Sequence, residues 1–519
     1  MRFKYLVAFL SVFILLEGFS QRKKDQDTSN FIIQPNRIEF KIGRYDEDFH
    51  IISGEENGML VVKETAVSNP EGYGWVLTCL DTAFNLEWES LAVIPHEYNY
   101  IGWDYNSEYY YLLFSRNNYK PGELTIYQVA LKDGKIKEKE ISTVFPMVLS
   151  HFEVIDDVVI LGGTTNFKPA VLTFDLEKLN PRVIPGIYNG NNEIVDISVD
   201  DDAGVFSVIM IEKVLNRQVS ISAKTFTTEN ILIQNNLINP GERYSLIDGA
   251  TTDFQGGFQY IAGTYSNKSL QYSRGLYISK FINGRQQFIN FINYADLENF
   301  FDYMREKRVE RIKQRIERRR SKGKKVRFSY RLLIHDIIQR DDHYILIAEA
   351  YYPRYSHSQQ FMSPYSYGRV PSGFTGVSGY KYTHAIVVAF DQNGTKLWDH
   401  SFAIDDVFTY SLEEFVTVNV FRDQIELCYL EENLIRSKLI KGNKVIEGKS
   451  YTPVRLGSEK DEVRTRDPEI EGLENWYDDY MYAFGEQTIQ HTLGSNGTSL
   501  RREVFYINKV RYKLNRIQK

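Results

Sequence analysis

The chain has 519 residues, 43% of them apolar and 14% aromatic, and a net charge of −6. That excludes a disordered polypeptide, is ample for a buried core, and gives no general reason to expect nucleic acid as a partner. Two cysteines are too few for a disulfide framework, and Cys79 and Cys428 lie in apolar strand-like contexts that predict buried free thiols.

In chain order, Met1–Ser20 reads as an export signal. "MRFK" is a basic start, Tyr5–Leu16 a run of twelve apolar residues, and Gly18 and Ser20 the small residues before a cleavage point. Twelve residues are too few for a bilayer crossing of ~30 Å. The expectation is an exported mature protein, periplasmic or extracellular, with no transmembrane segment and at most peripheral membrane contact. A polar leader follows at 21–36.

From residue 37 to 513 short strands and turns alternate almost without helix. One kind of strand is apolar and β-branched or aromatic, as in "MLVVKE" from Met59, "YYYLLF" from Tyr109, "VVILGGT" from Val158 and "VFSVIMI" from Val205. It returns at Phe258, Tyr344, Ile425 and Tyr480. A second kind follows it, as in "GWVLTCLD", "ELTIYQVAL" and "AVLTFDL". Eight such pairs, spaced near ~48 residues outside two long insertions, predict an all-β fold. It is a single propeller of eight four-stranded blades, with seven as the alternative. "RIEFKI" at Arg37–Ile42 precedes the first blade's own strands, while only 514–519 remain as a tail after the last. The two termini are therefore expected to pair in one blade and remove an open edge.

"LTCLDTAFNLEWES" (Leu77–Ser90) and "VVAFDQNGTKLWDH" (Val387–His400) share an Asp and, seven residues on, a Trp. With "DVVILGGTTN" and "GGFQYIAGTYSN" these resemble a degenerate bacterial propeller repeat, similar to WD-like and quinoprotein-type blades. The resemblance implies a fold and not a function. The Asp is expected to work in a hairpin turn and the Trp between blades.

Two insertions stand out. Between the fifth and sixth blades lies a basic segment, 296–328, with thirteen Lys/Arg and three Glu from Arg305 to Arg327. Leu297, Phe300, Phe301, Met304, Val309, Ile312 and Ile316 form a thin apolar stripe. This predicts a helix of about six turns, N-capped by Asp296 and lying on the propeller. Within the sixth blade, 351–382 is a loop with seven Tyr and two Phe among many Ser and Gly, a composition suited to adaptable contact surfaces. If strands a to d run outward from the axis, b–c loops and d–a crossings leave the same face. Both insertions therefore share a face. An acidic connector at 459–479 carries nine acids and three bases and could cover the helix. The Tyr loop could equally cap the central channel.

No zinc, P-loop, dinucleotide or nucleophile-elbow pattern is present, so no metal, cofactor or catalytic residue is assigned. "DDDAG" (Asp200–Gly204) and "RDDH" (Arg340–His343) read as turns. The sequence supports a non-catalytic scaffold that binds an acidic protein or an anionic envelope surface, and not nucleic acid. Arg315, Arg318, Arg319, Arg320, Lys324 and Lys325 would meet the anionic groups. Tyr352, Tyr355, Tyr365 and Tyr367 would supply contact area. The alternative is a glycan- or ligand-binding propeller, or an enzyme, whose axis would then show converging carboxylates.

Overall fold

The computed structural model describes residues 31–513 apart from 44–45, 117–121, 191, 215–217, 268–270, 341, 356–376, 465–469 and 494–497. Eight antiparallel sheets of four strands each, two of them with an outer or inner strand in two pieces, are arranged as eight blades. Blades 1 to 7 occupy 46–94, 98–142, 148–183, 193–237, 245–293, 331–409 and 417–453. Every apolar strand picked out by the repeat is a second strand (b), and every one of its partners is a third strand (c). The reason is burial. Strands b and c are covered on both faces by neighbouring blades, so they read as continuous apolar runs. The inner (a) and outer (d) strands meet water on one side and lose that signature.

Blade 8 closes the ring. Glu471–Asn475, Tyr480–Leu493 and Thr498–Tyr512 supply its first three strands, and Arg37–Lys41 pairs with Val504–Asn508 as the fourth. Ile32–Ile33 extends the same outer edge against Arg511 and Tyr512, so the end of the polar leader belongs to the propeller. The core falls into eight apolar clusters, one per blade interface. The cluster between blades 8 and 1 resembles the others. Phe49 stacks on Phe505 at 4.4 Å, and the Trp476 indole N–H donates to the Gly58 carbonyl across the junction.

The repeated Asp and Trp are structural. Asp81 accepts from the Ala83 and Asn85 amides, and Asp391 from those of Asn393 and Thr395, each closing a c–d turn. Trp88 donates to the Leu131 carbonyl of blade 2 and lies against Gly134, where a Cβ would come within 2.4 Å of the indole. Cys79 and Cys428 are buried free thiols. "DDDAG" is a turn, with Asp200 accepting from the Ala203 amide.

Deleting residues 31–42 removes this outer strand and takes Ile38 and Phe40 from the closing core. The expected cost is ~3–5 kcal/mol, with concentration-dependent aggregation through the bared edge, read by thermal unfolding and light scattering. A truncated chain melting within about 2 °C of the full chain would contradict closure by this strand.

Candidate functional site

The basic insertion is the only excursion among the described residues that builds a helix of its own. The helix, α1, spans Glu306–Arg320 and is shorter than the predicted six turns. Asp296 ends a short 3-10 turn, Tyr294–Asp296, ten residues before α1, and Arg305 occupies the cap position without a side-chain bond. The stretch between them is not helical because its apolar residues fill the blade 5–6 interface. Leu297, Phe300 and Phe301 are buried there with Val309 and Ile316, and Met304 and Ile312 pack against them. The apolar stripe was legible in the sequence. Its division between a loop and a helix was not, since the spacing suits both.

Asp399, on the outer strand of blade 6 (Lys396–Ala403), anchors this loop. Its buried carboxylate accepts from the Glu298 and Asn299 amides at 2.9 and 2.7 Å, and from Lys396 at 3.0 Å. Tyr303 stacks on the fully buried His384 ring at 3.7 Å. Burial holds that imidazole neutral, with its pKa pushed down to about 3. Two ion pairs tether the helix itself, Lys313 with Asp302 at 3.6 Å and Arg320 with Asp296. The residue foreseen as a cap is thus the partner of the last helical arginine.

This seating leaves the cations outward. Arg315, Arg318, Arg319 and Arg320 on α1 and Lys324 and Lys325 after it are all exposed. Arg311, Arg315 and Arg319 follow one another at four-residue steps, an arrangement of like charges that costs a helix ~0.2–0.5 kcal/mol per pair. Against that, Arg318, Arg319 and Arg320 lie in the last turn, where the helix dipole favours cations, and Val309 and Ile316 seat the helix on the body. Among the described residues no cation of α1 pairs within Glu459–Asp479. Asp461 is taken by His491 and Arg502, Glu471 by the Glu432 and Asn433 amides, and Glu474 by Tyr482.

The Tyr-rich insertion prolongs strands b and c of blade 6, His343–Tyr355 and Val377–Asp391, into a hairpin beyond the body. Phe408–Thr409 adds a short third strand against Tyr380 and Lys381. Tyr352 is exposed on this flap and the Tyr355 backbone ends its strand, whereas Tyr365 and Tyr367 lie outside the described residues. Arg331, just past the basic segment, pairs with Tyr351 at the base of the flap, so the two insertions share an edge. The strand order puts both on one face.

A second feature, which spacing in the sequence could not reveal, lies on the axis. In blades 2 to 5 each inner strand has a bulge at the same place, before Gly102, His151, Asp196 and Asp248. A bulge re-aims the side chains beside it. Asp104, Glu153, Asp196, Asp248, Asp336 and Glu414 line the axis from five successive inner strands and the start of the sixth. Burial raises all six carboxyls, Asp104 to about 7, Glu153 to about 8, Asp248 to about 6 and Glu414 to about 7. For Glu153 the neighbouring Asp104, Asp196 and Asp336 add to the effect. His335 bonds Glu349 at 2.9 Å and lies 3.3 Å from Glu414. Burial opposes its charge, but these carboxylates outweigh burial and raise its pKa. One cavity of about 410 Å³ opens between the a–b turns among Glu55, Asp104, Glu153, Asp156 and Asp201. Another of about 420 Å³ is lined by His335, Asp336, Glu414 and Glu474. Among the described residues no group of three or more His, Cys, Asp or Glu is disposed to hold a metal ion.

No family model matches the chain, and no curated protein does either. Solved structures resemble it in fold. The β-propeller domain of the Trilobed protease from Pyrococcus furiosus aligns over 78% of this chain and 95% of its own, at 10% identity and TM-score 0.36. The polysaccharide lyase Uly1 aligns over 92% and 99%, at 10% identity and TM-score 0.41. A prolyl endopeptidase aligns over 81% of this chain at 11% identity and TM-score 0.36, and the chain spans about half (51%) of its length. Likeness at this level carries no argument about function. No helix among the described residues is long and apolar enough to cross a membrane.

Two outcomes test this geometry. Asp399→Ala removes a charged acceptor from two amides, a loss of ~3 kcal/mol from the seat, and should speed tryptic cleavage within 305–327 by at least about tenfold. Unchanged cleavage would show that the carboxylate does not hold the insertion. Glu153 is protonated in the folded protein up to about pH 8 but only to its ordinary, lower pKa when unfolded. Its contribution to stability is therefore full in acid and is lost as pH rises through that window. Glu153→Gln should raise the melting temperature at pH 8.5 and leave it nearly unchanged at pH 4, as scanning calorimetry would read.

Proposed function

We propose that this propeller is an exported binding module whose working surface is the outward cationic face of α1, extended by the flap of blade 6, and that it engages an anionic partner. The single observation that supports this reading best is the way the helix is held. Apolar side chains and Asp399 fix the insertion to the body, two ion pairs tie the helix to the loop before it, and the run of arginines is kept in solvent. A solvated surface helix needs no such run of like charge. A rigid seat also lowers the entropy lost on binding. The Met1–Ser20 segment supports a place of action outside the cytoplasm.

Deleting 296–328 is a poor test, since it strips Leu297, Phe300 and Phe301 from the core. The combined change Arg315→Gln, Arg318→Gln and Arg319→Gln leaves the seat intact. It should weaken binding of a soluble polyanion such as polyglutamate by at least about tenfold and flatten its salt dependence, with the melting temperature unchanged. Equal binding by wild type and variant would refute the proposal.

A second reading rests on the axial carboxylates, which are what a ligand-binding or catalytic propeller would present. It supports a cationic ligand or an acid–base role for groups such as Glu153 and Glu414, whose pKa values near 7 to 8 suit proton transfer. Binding of a small ligand that is lost in Glu414→Gln and retained in the arginine variant would favour it.

A further inference from the structure

We infer that the anionic partner of this face is a lipid bilayer, met by α1 through electrostatics and by the flap through aromatic side chains at headgroup depth. This deepens the binding reading above and rests on it.

Three observations carry the step from "anionic" to "bilayer". The first is shape. α1 is a helix of 15 residues, ~22 Å long, lying on the body with its apolar side inward and its cations outward. Two cavities of about 340 and 430 Å³ flank it, bordered by Ala295, Asp296 and Arg320 together with Lys324 and Lys325 in one and Lys313 in the other. Arg311, Arg315, Arg318 and Arg319 border neither cavity, and an exposed row of charge of that kind suits a plane of headgroups. A protein partner would gain most of its affinity from anchors filling pockets.

The second is the composition of the neighbouring flap. Tyr352, Val377, Phe408, Tyr410 and Leu412 are all exposed there, Tyr410 by 87%. Phe408 and Tyr410 are in edge contact at 5.4 Å, so they form one patch. Arg354 lies over the Tyr352 ring at 5.5 Å, which brings a cation and an aromatic to the same spot. Aromatic rings with polar rims, next to Lys and Arg, are the side chains that settle at a membrane–water interface.

The third is charge accounting. In the flap region Asp406 pairs with Lys381 at 3.0 Å and Asp405 with Lys449 at 2.7 Å, while the exposed Glu413 carboxylate accepts from Ser411. Glu306, Glu310 and Glu317 stand on α1 itself, yet they are outnumbered by the thirteen cations of 305–327. At the opposite mouth, Glu55, Asp156 and Asp201 of the a–b turns border an acidic cavity. A charged plane would therefore orient the molecule, helix and flap toward it and acidic mouth away.

The test is co-sedimentation of the purified protein with vesicles of phosphatidylcholine alone or mixed equally with phosphatidylglycerol, set beside polyglutamate binding. The wild type should bind the mixed vesicles and not the neutral ones, with affinity falling steeply with salt. Arg318→Gln with Arg319→Gln should weaken vesicle binding by ~20-fold. Tyr352→Ser with Tyr410→Ser should weaken vesicle binding several-fold while leaving polyglutamate binding and the salt slope unchanged. If the aromatic variant binds vesicles as the wild type does, or if polyglutamate binds and vesicles do not, the bilayer inference fails and the cationic helix stands as a protein-binding surface. If neither probe binds, the reading beneath it fails as well.

Discussion

The antiparallel ladder between Arg37–Lys41 and Val504–Asn508 turns a row of blades into a ring. A four-stranded sheet with an exposed edge and one bare face is marginal alone. In the closed ring each face of every blade is covered by a neighbour, and the core becomes eight interfaces of one kind. Closure also fixes direction. Because each strand reverses the one before it, every b–c hairpin and every crossing between blades leaves the same side. The placement of α1 beside the flap follows from that alternation and not from any attraction between them.

The two ends of the molecule have opposite character. On the side of the insertions, arginine and lysine are pushed into solvent by an apolar seat. At the other mouth and along the axis, carboxylates converge and are raised by their burial and by one another. Because burial holds several of these carboxyls protonated toward neutral pH, the axis carries less negative charge than its residues suggest. The acidic connector belongs to this pattern. Three of its carboxylates are engaged in or beside blade 8, Asp461 by His491 and Arg502, Glu471 by the Glu432 and Asn433 amides, and Glu474 by Tyr482.

Much of this was legible in the sequence, for identifiable reasons. Strands b and c announce themselves because burial on both faces demands unbroken apolar runs, and all eight pairs were found that way. The turn role of Asp81 and Asp391 and the inter-blade role of Trp88 follow from residue type. The start of α1 was misplaced by nine residues because Leu297, Phe300 and Phe301 satisfy helical spacing while packing as a loop held by Asp399, about a hundred positions away. The axial carboxylates were invisible for a different reason. Asp104, Glu153, Asp196, Asp248, Asp336 and Glu414 recur at no constant step, since connection lengths differ from blade to blade and the two insertions intervene before and within blade 6. Only the ring brings them together.

The central claim is that the seated cationic helix, and not the acidic axis, is the working surface. Hydrogen–deuterium exchange of the whole protein, free and saturated with an anionic partner, tests it most directly. The account predicts new protection in 305–327 and in the flap strands on either side of it, with the inner strands of blades 2 to 5 unchanged. Protection confined to those inner strands and the a–b turns near Glu55 and Asp201, with 305–327 exchanging as before, would contradict it.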